Sequence, residues 1–112
     1  MRNQKICNFE EWKIKIVLKR TVLDIFHNLG ITDVSDQDIS VVVDSDDVFI
    51  DIEMLGLESY TIKMSENTYS NSVTVAVIAD GDVISVEEGT MKDFSMIDTV
   101  VFIINHFMSR SI

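Results

Sequence analysis

Proline is absent from this 112-residue chain, and cysteine occurs only once, at Cys7. A single cysteine excludes a disulfide within the chain, as is typical of proteins from reducing compartments. No apolar run is longer than the five residues of Val100 to Ile104, whereas a membrane-spanning helix needs about 20. The N-terminal segment also lacks the apolar stretch of a signal peptide. The sequence therefore predicts a cytoplasmic protein that does not enter a membrane.

Linkers, repeats and low-complexity segments are also absent, so nothing marks an internal domain boundary. A chain of this length can build one hydrophobic core but not two domains of ordinary size. We therefore predict one domain over residues 1–112. Its four scattered glycines cannot form the glycine-rich loop that binds phosphate groups.

Basic residues are scarce beyond the first twenty positions. Residues 1–20 contain six Lys and Arg against two Glu, a net charge of +4, whereas residues 21–112 contain three against seventeen acids, a net charge of −14. The resulting field repels phosphates and attracts basic surfaces, which argues against nucleic acid as a partner. The acids either keep the protein in solution or bind a basic protein partner, and composition alone leaves both open.

The first segment is predicted to be a helix over residues 9–29. Asn8 is a typical N-cap residue, Glu11 completes a capping box, and Gly30 stands where helices often end. Residues 12–19 alternate apolar and basic side chains as a strand would, but the length of the segment and its end signals favour a helix. Apolar residues recur at helical spacing at Leu18, Val22, Ile25, Phe26 and Leu29.

This helix carries more apolar residues than one buried stripe requires. On a helical wheel Trp12 and Ile16 lie near one face together with Lys19, while Ile14 and Val17 point elsewhere. The surplus predicts a second contact beyond the core of the chain.

The stretch VVVDSDDVFIDIE, from Val41 to Glu53, is predicted to be a β-hairpin. Apolar residues alternate on both sides of Asp44–Asp47, a segment rich in residues that favour turns. The acids of the second strand then lie on the face opposite its aliphatic side chains, and Phe49 shares that acidic face.

Three further strands follow. A short strand is predicted over Tyr60–Met64, and Asp80-Gly81 is the dipeptide of a two-residue type I′ turn between the last two strands. That turn pairs Ala79 with Asp82, Val77 with Ile84 and Val75 with Val86, which gives one mostly aliphatic face.

The chain closes with a predicted helix over residues 92–109. Ser95 and Asp98 form a start signal. The apolar stripe predicted to face the sheet contains Ile97, Val100, Val101, Ile104, Phe107 and Met108. Phe102 and Ile103 fall outside this stripe, and we predict that they contact a second copy of the chain. The predicted fold class is α+β, an antiparallel sheet flanked by N- and C-terminal helices in the order α-β-β-β-β-β-α.

No pattern predicts a catalytic or metal site. A calcium loop starting at Asp44 would need an oxygen ligand and a glycine where Val48 and Phe49 stand. His27 and His106 lack the spacing to Cys, Asp or Glu that marks a metal site, and the lone cysteine has no local motif. We therefore expect no enzymatic activity, no metal and no cofactor.

The order of these segments resembles the class I chaperones of bacterial type III secretion. The residues that carry the resemblance are a first helix ending in HNLGI, His27 to Ile31, the hairpin DISVVVD–VFIDIE, the hairpin SNSVTVAVIADGDVISVEE and the closing helix IDTVVFIINHFMSRSI. The resemblance covers about residues 16–110. Such chaperones usually carry another helix between the third and fourth strands, whereas Met64–Ser72 has room for about one turn.

The resemblance implies a homodimer that binds the N-terminal segment of a secreted effector in extended form. Such a segment adds a strand at a sheet edge and fills apolar patches. The residues expected to contact the partner are Trp12, Ile16, Phe49 and Leu55. A different class of function also fits the acidic composition, namely a stoichiometric inhibitor of a basic protein, such as an immunity protein or a phage-type DNA mimic.

Overall fold

The computed structural model describes residues 2–67, 69–90 and 93–111, and within these ranges the side chains of residues 13–110. The elements are α1 (Arg2–Asn28), a 3₁₀ turn (Asp36–Asp38), β1 (Ile39–Asp44), β2 (Asp47–Met54), β3 (Glu58–Asn67), β4 (Ser72–Ala79), β5 (Asp82–Gly89) and α2 (Met96–Ser111). The predicted α+β class and the order α-β-β-β-β-β-α are confirmed. Among the described residues, neither helix combines the length and apolar composition needed to cross a membrane.

The five strands form one antiparallel sheet in chain order, so that each strand pairs only with its neighbours in sequence. Alternate strand residues point to one face, where the sheet meets both helices in a single core. The buried residues are Val22, Ile25, Phe26, Val34, Ile39, Val41, Ile50, Ile52, Met54, Tyr60, Ile62, Val73, Val75, Val77, Ala79, Val100, Ile103 and Phe107. The helices therefore cover one face of the sheet only.

The start predicted for α1 is wrong, and its predicted end is confirmed. The helix begins at Arg2, so Asn8 lies inside it and does not cap it. A capping pattern marks a possible start, and no proline or glycine precedes Asn8 to stop the helix from extending. At the other end Gly30 has a φ of 89°, and the N–H groups of Gly30 and Ile31 donate to the carbonyls of His27 and Phe26. These are the two hydrogen bonds of a Schellman motif.

The β4–β5 turn is as predicted, but the pairing beyond it is not. Asp80 and Gly81 have φ values of 51° and 87°, as a type I′ turn requires. Ile84 is the extra residue of a β-bulge, so Val77 pairs with Ser85 and not with Ile84. Compared with the predicted hairpin, which has no bulge, this shift of one residue turns every later side chain of β5 to the opposite face of the sheet. As a result Glu87 pairs with Val75, and Val86 pairs with Ala76.

The last helix begins at Met96, four residues after the predicted start. The N–H of Asp98 donates to Oγ of Ser95 at 3.2 Å, so the predicted start signal marks the true N-terminus. The stripe that faces the sheet differs from the predicted one, because Ile97 and Met108 are exposed, while Ile103 is fully buried. Apolar residues lie on most sides of this helix, so their spacing alone does not predict which stripe is buried.

The described residues between β3 and β4, residues 69–71, form a turn and no helix. β3 extends to Asn67, three residues beyond the predicted end at Met64, and β4 begins at Ser72. Only four residues separate the two strands, which leaves no room for the helix that the resemblance implies at this point.

Candidate functional site

The face of the sheet that points away from the helices is the candidate functional site, and we call it the outer face. The strand register places Val42, Phe49, Lys63, Ala76 and Val86 side by side on it, one residue from each strand. Four of these five side chains are apolar, and we call this set the apolar row. It crosses the whole width of the sheet.

Exposure shows that the apolar row is uncovered. Val42 at one edge is 49% exposed and Val86 at the other is 60% exposed, while Phe49, Lys63 and Ala76 between them are half-buried by their neighbours. Nζ of Lys63 lies 5.8 Å from the centroid of the Phe49 ring, within the range of a cation–π contact. A row of this kind presents apolar area that packing within one chain does not use.

A second row on the outer face lies next to the apolar row. Ile78 and Val83 extend the apolar surface across β4 and β5. On β2 and β3 the same row is polar and consists of Asp51 and Thr61. Oγ1 of Thr61 donates to Oδ1 of Asp51 at 2.5 Å. This second row therefore changes from acidic and polar on β2 and β3 to apolar on β4 and β5.

Acids occupy the opposite flank of the apolar row. The next residues along the strands are Asp44, Asp47, Ser65, Thr74 and Glu88, which the pairing brings into one line. Among the described residues, the ion pairs of acids after residue 20 involve Asp36, Glu58 and Asp80, none of which lies in this line. The flank therefore carries negative charge that favours a basic partner.

The four residues predicted to contact a partner do not form one surface. Phe49 lies in the apolar row, whereas Leu55 is 46% exposed in the β2–β3 turn, with a φ of 55°. Ile16 is 41% exposed on α1, beside Lys19 and Leu23, and belongs to the helical layer. The side chain of Trp12 lies outside the described residues. Ile16 and Phe49 therefore belong to different elements, α1 and the outer face of the sheet.

The two residues predicted to contact a second copy have different environments. Ile103 has no exposed surface and lies in the core between α2 and the sheet, so it cannot contact a partner while the fold is intact. Phe102 is 38% exposed and lines a small cleft with Val77, Ser85 and Thr99. Of the pair, only Phe102 has surface available to a partner.

A polar cluster fixes α2 to the sheet on the helical side. The hydroxyl of Tyr60 donates to Oε1 of Glu58 at 3.2 Å and lies 2.8 Å from Nδ1 of His106. A hydroxyl has one hydrogen to donate, so Nδ1 of His106 has to carry the hydrogen of the second bond. Burial, together with the negative charge of Glu58, raises the pKa of Tyr60 to about 12. Arg110 donates to the same Glu58 oxygen at 2.8 Å and balances its charge.

The acidic β1–β2 turn does not have the arrangement of a metal site. Among the described side chains, no three from His, Cys, Asp and Glu lie close enough together to hold a metal ion. Asp44 and Asp47 pair with each other across the two-residue turn, and Val48 and Phe49 continue the strand. The acids of this turn therefore act as a source of negative charge.

Sequence reasoning identified Phe49 but missed its neighbours in the apolar row. The sequence predicts strands at Val42 and Ala76 without a role for either residue, and it predicts Val86 on the aliphatic face because it does not reveal the bulge at Ile84.

Comparison of the chain with protein-family models, with curated proteins and with solved structures gave no match. What the chain binds is therefore inferred from the chemistry of the outer face.

Proposed function

We propose that this protein is a non-catalytic chaperone that binds the N-terminal segment of a secreted effector in extended form and keeps it competent for secretion. The single observation that carries the proposal is the apolar row on an uncovered sheet face. We further propose that the protein acts in the cytoplasm, as the resemblance to type III secretion chaperones implies.

The outer face suits an extended segment because its apolar and charged side chains lie in parallel lines. A bound strand presents alternate side chains to one face, so its apolar residues can meet the row around Phe49. Basic residues of the segment are attracted to the flank formed by Asp44, Asp47 and Glu88.

The sheet edge next to this face is also suitable for strand addition. β1 is an edge strand of six residues, with regular pairing along its whole length. β5, at the other edge, carries the bulge at Ile84 and the acids Glu87 and Glu88, which oppose pairing with a further strand. The proposal therefore places the extended segment at β1, with its side chains on the outer face.

The test uses a panel of synthetic 20-residue peptides that combine apolar and basic residues, with scrambled acidic peptides as the reference. Binding of the best peptide is measured by fluorescence anisotropy for the wild type, for Phe49→Asp and for Leu57→Asp. Leu57 is 78% exposed in the β2–β3 turn and away from the apolar row, so it provides a matched control. We expect Phe49→Asp to weaken binding at least about tenfold and Leu57→Asp to leave it unchanged. If neither peptide class binds, or both variants lose binding equally, the proposal is wrong.

The acidic flank also favours a second candidate function, stoichiometric inhibition of a basic protein. The observation is the line of Asp44, Asp47 and Glu88 beside the turn residue Asp46. Binding by charge weakens steeply with salt, whereas binding by apolar contact does not. Measuring affinity for the same peptides at 50 and at 500 mM NaCl separates the two functions.

A further inference from the structure

The upstream half of α1 has apolar side chains that the core does not use. Among the described side chains, contact with the core begins at Leu18, which is only partly buried. Ile14, Ile16 and Val17 are 42%, 41% and 61% exposed. The molecule measures 50 Å along its longest axis against 29 and 25 Å along the others, consistent with a helix that extends past the sheet. These exposed apolar side chains lie on more than one side of the helix and are available for a contact outside the chain.

The charge of this helix is opposite to that of the remaining chain. Residues 1–20 have a net charge of +4 and residues 21–112 a net charge of −14. Lys13 and Lys15 are on this half of the helix, while Asp44, Asp47 and Glu88 form the acidic flank of the outer face. Two copies of the chain are thus electrostatically complementary if the helix of one meets the outer face of the other.

The dimensions of the two surfaces also match. The sixteen helical residues upstream of Leu18, residues 2–17, span about 24 Å at 1.5 Å per residue. Five paired strands span about 19 Å, since neighbouring strands lie about 4.8 Å apart. The helix can therefore cross the full apolar row, and a helix packed on the free face of a sheet is an ordinary layer arrangement.

We propose that the upstream half of α1 of one copy packs on the outer face of a second copy, in a reciprocal dimer that covers the apolar row. Ile16 of one copy then meets Phe49 of the other. The proposal rests on the proposed function in one respect, because it makes the second copy a competitor for the surface that binds the effector segment. Its test requires no effector, so the two proposals fail separately.

The experiment is a charge swap read by sedimentation velocity at 5–100 μM protein and 50 mM NaCl. One variant reverses the helix with Lys13→Glu and Lys15→Glu, a second reverses the flank with Asp44→Lys and Asp47→Lys, and a third combines all four changes. Asp33→Lys with Asp82→Lys is the control, because it changes net charge by the same amount as the flank variant at two exposed acids away from the outer face. Far-UV circular dichroism and thermal melting confirm that each variant is folded.

The wild type and the control are expected to dimerise, and each single-surface variant is expected to dimerise at least about tenfold more weakly. The combined variant is expected to recover the wild-type dimer, because both charges are exchanged. Ile16→Asp and Phe49→Asp are each expected to weaken dimerisation by a similar factor. A wild type that remains monomeric up to 100 μM overturns the proposal. The proposal is also overturned if Phe49→Asp weakens the dimer and Ile16→Asp does not. The outer faces of the two copies would then pack directly on each other.

Discussion

The phenolic oxygen of Tyr60 lies 2.8 Å from Nδ1 of His106 and joins the middle strand of the sheet to the last helix. Replacing Tyr60 with Phe removes this bond and leaves a half-buried nitrogen of His106 without its partner. We expect a loss of about 1–2 kcal/mol in the free energy of unfolding, measured by urea denaturation. Tyr69→Phe is the matched control, because Tyr69 is fully exposed and its loss should change stability by less than about 0.5 kcal/mol. Equal effects of the two changes would show that the bond does not hold α2.

The raised pKa of Tyr60 predicts a loss of stability in alkaline solution. Burial, with the charge of Glu58, moves the pKa of Tyr60 from its ordinary value of 10.0 to about 12 in the folded protein. Between these values the unfolded chain has lost the phenolic proton while the folded protein still holds it, so the free energy of unfolding falls as pH rises. The contribution is complete below pH 10 and is lost as pH rises through 12, with a slope of at most about 1.4 kcal/mol per pH unit.

Tyr69→Phe leaves Tyr60 as the only tyrosine, which makes this titration directly visible. Absorbance at 295 nm should then rise with a midpoint near pH 12, provided that the protein is still folded by circular dichroism. A midpoint near pH 10 in the folded protein would contradict the burial of the hydroxyl.

Neighbouring residues of α2 should differ sharply in their effect on stability. Ile103→Ala removes a fully buried side chain and should cost about 2–5 kcal/mol in the free energy of unfolding. Phe102→Ala removes a side chain that is 38% exposed and should cost clearly less, by at least about 1 kcal/mol. Thermal or urea denaturation of the two variants measures the difference. If Phe102→Ala proved the more damaging, Phe102 and not Ile103 would belong to the buried stripe of α2.

The bulge at Ile84 can be tested through two valines on adjacent strands. Val86 is 60% exposed on the outer face, so Val86→Thr should change stability by less than about 0.5 kcal/mol. Val75 is 5% exposed in the core, and Val75→Thr should cost about 1–3 kcal/mol because it buries a hydroxyl. In a hairpin without the bulge, Val86 would pair with Val75 on the core face, and both substitutions would be costly.

Calcium should not stabilise the protein. The acids of the β1–β2 turn continue directly into paired strands, and Val48 and Phe49 occupy positions where a calcium loop needs an oxygen ligand and a glycine. The melting temperature should therefore change by less than about 1 °C when micromolar calcium is added, with magnesium as the ionic control. A rise of several degrees specific to calcium would show that the turn is a metal site.

The sequence predicted the elements of this fold better than their contacts. Period-2 alternation and the Asp80-Gly81 turn place the strands, and Gly30 ends α1, because these signals act over a few residues. The stripe of α2 that faces the sheet was not predictable, since apolar residues surround the helix. The bulge at Ile84 was also not predictable, because one extra residue in β5 leaves no local sequence pattern that marks it.

The candidate site was predictable only in part for the same reason. Phe49 stands among acids in an alternating strand, so its place on the outer face follows from the sequence. The rest of the apolar row depends on how five strands align with one another, and alternation within a single strand does not fix that register. Ile103 illustrates the opposite error, since its place outside the predicted stripe predicts a surface position, whereas the core buries it completely.

The order of the sheet has a kinetic consequence. Every strand pairs with a chain neighbour across a connection of two to four residues, so the whole ladder can form by successive short loop closures. Contact between α1 and α2 instead brings together segments from opposite ends of the chain. The slow event in folding is therefore expected to be the docking of the helices onto a sheet whose strands have already paired.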